Sequence, residues 1–186
     1  MARNNARPGA GPLGIYLNDH LAGATAGTEL ARRMAASGHL PDPPGTLPRL
    51  ASEIAEDRAA LLQIMADLDI PVRNYKVYAA WMSEKAGRLK PNGHLRTRSP
   101  VSNLEELELL RLGVEGKAAG WRTLRVLADR DTRLAVGRLD ELMARARHQA
   151  DLLEDLRVQA AAQVVDTVPV HGSADIGNGT GRRADG

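Results

Sequence analysis

The sequence predicts an all-α protein in which four long amphipathic helices form an antiparallel four-helix bundle. The 186-residue chain contains only 3% aromatic residues and no phenylalanine, so its core must be built from aliphatic side chains, which favours helix packing. Apolar residues recur at spacings of three and four, and no segment alternates with a period of two. A chain of this length suits one domain.

Glycine and proline bound the first two helices. The pattern predicts a first helix over about Leu13–Ala36, and the following Ser37-Gly38 is a C-terminal glycine signal. Prolines within residues 41–44 exclude a helix there and predict a stiff turn. A second helix is expected over about Leu47–Leu68, with Thr46 as its candidate N-cap.

The connection that follows is predicted to cross the length of the bundle. Ile70-Pro71 ends the second helical pattern, and an additional short helix is expected over about Arg73–Lys90. The whole connection, Asp69–Val101, is long enough to run from one end of a bundle to the other.

A short turn joins the last two long helices. Ser102 followed by Glu105 is a capping box, and it predicts the start of a helix that runs up to the turn at Asp129 and Asp131. The last helix is expected over about Thr132–Val165.

Glycine-rich ends flank the helical part of the chain. We expect residues 1–11 to be a disordered arm, residues 12–165 to form the bundle domain and residues 166–186 to be a disordered tail. No apolar run reaches the length of a membrane span, so no membrane partner is expected. The N-terminus lacks the apolar segment of a secretory signal, and the expected location is the cytoplasm.

Four polar residues fall within the apolar stripes of the helices and are candidates for a buried polar layer: His20, Asp57, Lys117 and Gln149. Each belongs to a different helix, so a bundle can bring some of them together. In one interpretation, His20 titrates inside a small buried site and Asp57 orients it. In the other, these side chains form a structural hydrogen-bond layer that fixes the register of the helices.

A second candidate site is the basic loop that precedes the helix of the capping box. Its cations and a histidine form a possible anion-binding loop: Arg88, Lys90, His94, Arg96 and Arg98. No aromatic side chain is interleaved to stack on bases, and an ordinary solvated loop accounts for the same charges. Nucleic acid is therefore not an expected partner.

The order and spacing of the helices resemble the ferritin-like superfamily. Two segments are similar to uncharacterised bacterial bundles of this type: Tyr16-Leu-Asn-Asp-His20-Leu-Ala-Gly and Leu112-Gly-Val-Glu-Gly-Lys117-Ala-Ala-Gly-Trp121. The resemblance implies a ferritin-like bundle. Di-iron members of the superfamily use Glu-x-x-His motifs. No such motif occurs here, so neither a metal nor another cofactor is expected.

These observations predict a non-catalytic interaction or structural module that forms a homodimer and binds an unidentified protein partner. The surface expected to associate is the exposed part of the last helix, at Leu152 and Val158. Two alternatives stay open: a divergent ferritin-like metal-binding oxidase or storage protein, and phosphate or nucleic-acid binding through the basic loop 88–98. The chain has no cysteine and no nucleotide-binding or hydrolase motif that would indicate another class of enzyme.

Overall fold

The fold of the chain is seen in a computed structural model, which describes residues 11–38, 40, 43–73 and 100–168. These residues form four α-helices and no β-strand, which confirms the prediction of an all-helical protein. None of the described helices is both long enough and apolar enough to span a membrane. The helices are α1 (Pro12–Ser37), α2 (Thr46–Asp67), α3 (Pro100–Ala128) and α4 (Val136–Val165).

Proline and glycine determine where α1 and α2 begin and end. α1 starts at Pro12, whose missing N–H costs nothing in a first helical turn. It ends at Gly38, which has a left-handed backbone with φ of 60°. Gly45 is the N-cap of α2 and has a φ of 84°. The prediction of Thr46 as N-cap is therefore wrong, because Thr46 is the first helical residue.

The starts of α3 and α4 also correct the sequence prediction. α3 begins at Pro100, so Ser102 lies inside its first turn and does not cap the helix. α4 begins at Val136 and not near Thr132, because Asp131 organises a turn before it. The Asp131 carboxylate accepts hydrogen bonds from the backbone N–H (3.1 Å) and the guanidinium (2.9 Å) of Arg133. These bonds lower the pKa of Asp131 to about 2.

One aliphatic core joins the four helices. α1 packs against α2 and α3, and α3 packs against α4. Each helix contributes side chains that are at most 1% exposed, among them Leu17, Met65, Leu107 and Leu153. Trp121 is the one aromatic side chain buried in the described core, as the aromatic-poor composition predicts.

Polar contacts at the surface bridge neighbouring helices. Among the side-chain pairs that join two helices at 3.2 Å or less are Thr25–Arg58, Tyr16–Thr123, Arg111–Glu154, Arg125–Asp140 and Arg145–Glu56. The first joins α1 to α2, the second joins α1 to α3, the next two join α3 to α4, and the last joins α4 to α2. Polar contacts therefore link the helices that pack together in the core and, in addition, link α2 to α4.

Several predicted features lie outside the described residues. They are the short helix from residue 74 onward, the basic loop 88–98, the arm up to residue 10 and the tail from residue 169. The first part of the long connection is described, and it returns to α1. There the Asn18 side chain accepts a hydrogen bond from the N–H of Arg73 (2.8 Å) and donates one to the carbonyl of Pro71 (3.2 Å).

The left-handed backbone at Gly45 gives the first testable prediction. Gly45→Ala should lower the free energy of unfolding by about 1–2 kcal/mol, because a Cβ disfavours a positive φ. Gly11→Ala is the matched control, since Gly11 also precedes a helix but has a φ of −78°. Urea unfolding followed by circular dichroism measures both changes. Equal losses in the two variants would contradict this role of Gly45.

Candidate functional site

A network of charged and amide side chains crosses the core between α2, α3 and α4. Its centre is Asp57 of α2, whose side chain is fully buried. Lys117 of α3 donates hydrogen bonds to Oδ2 of Asp57 and to Oε1 of Gln149 on α4. The Gln149 amide in turn donates to Oδ2 of Asp57 (3.2 Å) and to Glu53 (3.1 Å). Three of the four polar residues singled out from the sequence thus meet in one layer.

Arg145 of α4 completes the network from its outer edge. Its Nη2 forms an ion pair with Oδ1 of Asp57, and its Nη1 forms one with Glu56 at 3.2 Å. The contact with Asp57 is an ion pair without a hydrogen bond, and Oδ1 of Asp57 is buried without a hydrogen-bond partner. Nε of Arg145 is also buried without one. The Asp57 carboxylate is therefore held between two cations.

The charges of the network compensate one another inside the core. Burial lowers the pKa of Lys117, and the neighbouring Asp57 carboxylate opposes that shift. Removal of one charged partner would leave the other buried and uncompensated, which is costly in a medium of low polarity. This arrangement favours the interpretation of the polar layer as a structural element that fixes helix register.

His20 lies apart from the network, although it too falls within an apolar stripe. Its imidazole packs against α3 at Gly120, where an added Cβ would be 3.2 Å from the ring. It also meets the ring of Tyr16 edge-on, with centroids 4.4 Å apart. Asp57 does not orient His20, because the oxygens of that carboxylate face α3 and α4. Burial lowers the pKa of His20, and the nearby Asp19 carboxylate opposes the shift.

Two members of the network cannot be recognised from the apolar stripes. Arg145 and Glu53 both lie beside the stripes of their helices and reach the layer through long side chains. The one available signal for Arg145 is that it precedes Gln149 by four residues, a spacing that places two side chains on the same helix face.

A groove of about 930 Å³ lies between α1 and α3, above the network. Asp57 and Lys117 contribute to its floor, and His20 contributes to its wall. Its sides are mainly small or aliphatic. Four glycines line it with open space where a Cβ would stand: Gly23, Gly27, Gly113 and Gly116.

Exposed aliphatic and charged side chains lie along the rim of the groove. On α3, Leu109 is 43% exposed and Leu112 is 67% exposed. On α1, the rim carries the exposed residues Asp19 and Arg33. Of the two residues predicted to form a surface on the last helix, Val158 is 52% exposed, whereas Leu152 is half-buried against the core.

In comparisons with known proteins, no family model, no curated protein and no solved structure matches this chain. Within residues 11–38, 40, 43–73 and 100–168, no three His, Asp or Glu side chains are grouped in a way that would hold a metal ion. The network and the groove are therefore the features from which a function must be argued.

The buried carboxylate gives the second prediction. Asp57→Asn should lower the free energy of unfolding by about 3–5 kcal/mol, because Lys117 and Arg145 lose their shared counter-ion. The matched control is Glu56→Gln, whose side chain is 61% exposed and whose loss should cost less than about 1 kcal/mol. Urea unfolding of both variants measures the difference, and similar costs would show that Asp57 is not the centre of the network.

His20 gives the third prediction, a dependence of stability on pH. Because its pKa is lower in the folded protein, the unfolded chain binds the proton more tightly, and the free energy of unfolding falls as the pH drops below about 6.5. In His20→Gln, the free energy of unfolding should fall less steeply between about pH 7.5 and 5.5. At higher pH, its dependence on pH should be the same in the variant and in wild type. Thermal melts across this range test the prediction, which parallel curves for wild type and variant would contradict.

Proposed function

We propose that this chain is a non-catalytic interaction module, built as an antiparallel bundle with ferritin-like connectivity, and that it binds through the groove between α1 and α3. The bridging pairs support the antiparallel order. Tyr16 near the start of α1 contacts Thr123 near the end of α3. In the same way, Arg111 in the first half of α3 pairs with Glu154 in the second half of α4.

The long connection supports the ferritin-like part of the proposal. If α2 and α3 each run opposite to α1, they run parallel to one another. The end of α2 and the start of α3 then lie at opposite ends of the bundle. The N–H of Arg73, which follows α2, binds Asn18 near the start of α1. The same end of α1 contacts Thr123 near the end of α3, so the start of α3 at Pro100 lies towards the other end of α1. One long crossover of this kind is typical of ferritin-like bundles.

The groove is the observation that carries the binding function. Its volume of about 930 Å³ is within the range of pockets that receive ligands. It follows α1 from Tyr16 to Arg33, which is roughly 26 Å at a rise of about 1.5 Å per residue. An apolar groove of this length has the dimensions for an amphipathic helix laid along it.

The polar floor supports binding more than catalysis. Lys117 and Asp57 are engaged with each other and with α4, so they form a rigid base beneath the groove. In the described residues, no metal-ligand cluster favours the alternative of a ferritin-like oxidase or storage protein. The opposed helices and their fixed register keep the walls of the groove in place.

The fourth prediction tests the groove directly. Gly116→Leu should obstruct part of the groove and reduce the fluorescence enhancement of phenylnaphthylamine, a neutral apolar dye, which we expect wild type to produce. The Cβ of residue 116 faces open space, and leucine favours helix over glycine by about 1 kcal/mol, so the variant should fold at least as stably.

Gly137→Leu is the matched control for this experiment. Gly137 is also helical and open at its Cβ, but it belongs to α4 and does not line the groove. It should therefore retain dye binding. The proposed function is wrong if both leucine variants bind the dye as wild type does, or if both lose it equally.

A further inference from the structure

We infer that the occupant of the groove is a second copy of this chain, whose α1 lies antiparallel along the α1 wall. This inference rests on the proposed function and names the partner of the same site. It is carried by the distribution of charge and size along one face of α1.

Three groove-lining residues mark that face of α1. Asp19, Ala26 and Arg33 follow one another at intervals of seven residues, and such intervals return a side chain to nearly the same side of a helix. Asp19 and Arg33 are exposed, and Ala26 between them is half-buried. The face defined by these three residues therefore has a small residue at its centre and one charge of each sign at its ends, while Glu29, which also lines the groove, lies beside it.

The two end charges have no ion-pair partner within the described residues. By contrast, Glu29 on the same helix pairs with Arg32 at 3.0 Å. Asp19 and Arg33 are equally far from Ala26, each at roughly 10.5 Å along the helix axis. They thus form a symmetric arrangement of two charges, neither of which takes part in an ion pair within the described residues, although Asp19 also acts electrostatically on His20.

A two-fold axis through Ala26 satisfies both charges at once. In such an antiparallel pair, Asp19 lies opposite the partner's Arg33, and Arg33 lies opposite the partner's Asp19. An interface of two identical patches must be complementary to itself, and this face has that property. Near the axis, Gly23 and Ala26 are small enough to allow close approach of the two helices.

The flanking apolar surface adds to the same interface. Leu109 and Leu112 of α3 lie on the groove rim beside this face, and a second copy would cover them. A contact made mainly by one helix pair is near the lower limit of stable interfaces, about 1,000 Å². We therefore expect a reversible dimer with a dissociation constant in the micromolar range.

Charge reversal in the whole 186-residue chain tests the inference. Asp19→Arg should raise the dimer dissociation constant at least about tenfold, because it places like charges opposite each other at both ends. The double variant Asp19→Arg/Arg33→Asp should restore the constant to within about threefold of wild type, since the exchange recreates both pairs. Sedimentation velocity over a concentration series measures each constant.

Asp151→Arg is the matched control. It makes the same change of net charge at an exposed position of α4 outside the groove, and it should leave the dimer intact. Circular dichroism spectra and melts establish that all variants are folded. A folded Asp19→Arg variant that still dimerises like wild type overturns the inference, and so does a double variant that stays monomeric.

The two proposals fail in different ways. A wild type that remains monomeric at millimolar concentration overturns the second copy as occupant. If Gly116→Leu nevertheless reduces dye binding in that protein, the groove is still a binding site, covered within the chain or by a different protein. If dye binding does not depend on Gly116 but the charge series behaves as expected, the α1–α1 dimer is supported and the proposal of a binding groove is overturned.

Discussion

The polar contacts among α2, α3 and α4 centre on one buried carboxylate. A fully buried Asp57 requires charged partners, and it obtains them from α3 and α4 through Lys117 and Arg145. These side chains reach Asp57 in one register only, because a shift of one residue turns a helical side chain by about 100°. Leucine and alanine pack with much less specificity, since aliphatic cores tolerate exchange at constant volume. The network therefore supplies a uniqueness that the aromatic-poor core lacks.

The composition of the network also helps to explain the groove between α1 and α3. It joins α2, α3 and α4, and in the described structure no side chain of α1 takes part in it. α1 instead meets α3 through Tyr16 and through His20, whose ring rests on Gly120. With α1 rich in glycine and alanine, the two helices leave a groove between them. The polar layer holds the floor of the groove rigid, and the walls of the groove carry mainly small side chains.

The sequence predicts the helices better than it predicts their contacts. Periodicity identifies the all-helical class and places Asp57, Lys117 and Gln149 inside the core. The same rule selects His20, but periodicity assigns a residue to a face and not to a neighbour, so it cannot tell that His20 meets a glycine. Arg145 escapes because a long side chain reaches the layer from beside the stripe. The groove forms between two helices, so the apolar pattern of either helix alone cannot predict it.

The choice of cations in the network follows the space available to each. The chain has 21 arginines and only four lysines, yet a lysine occupies the closed centre of the layer. An ammonium group is compact, and two of the three donors of Lys117 are satisfied by Asp57 and Gln149. A guanidinium is a planar fork with five donors, which suits the outer edge, where Arg145 contacts both Asp57 and the exposed Glu56. Lys117 also lines the groove, so the same ammonium group belongs both to the buried network and to the surface of the groove.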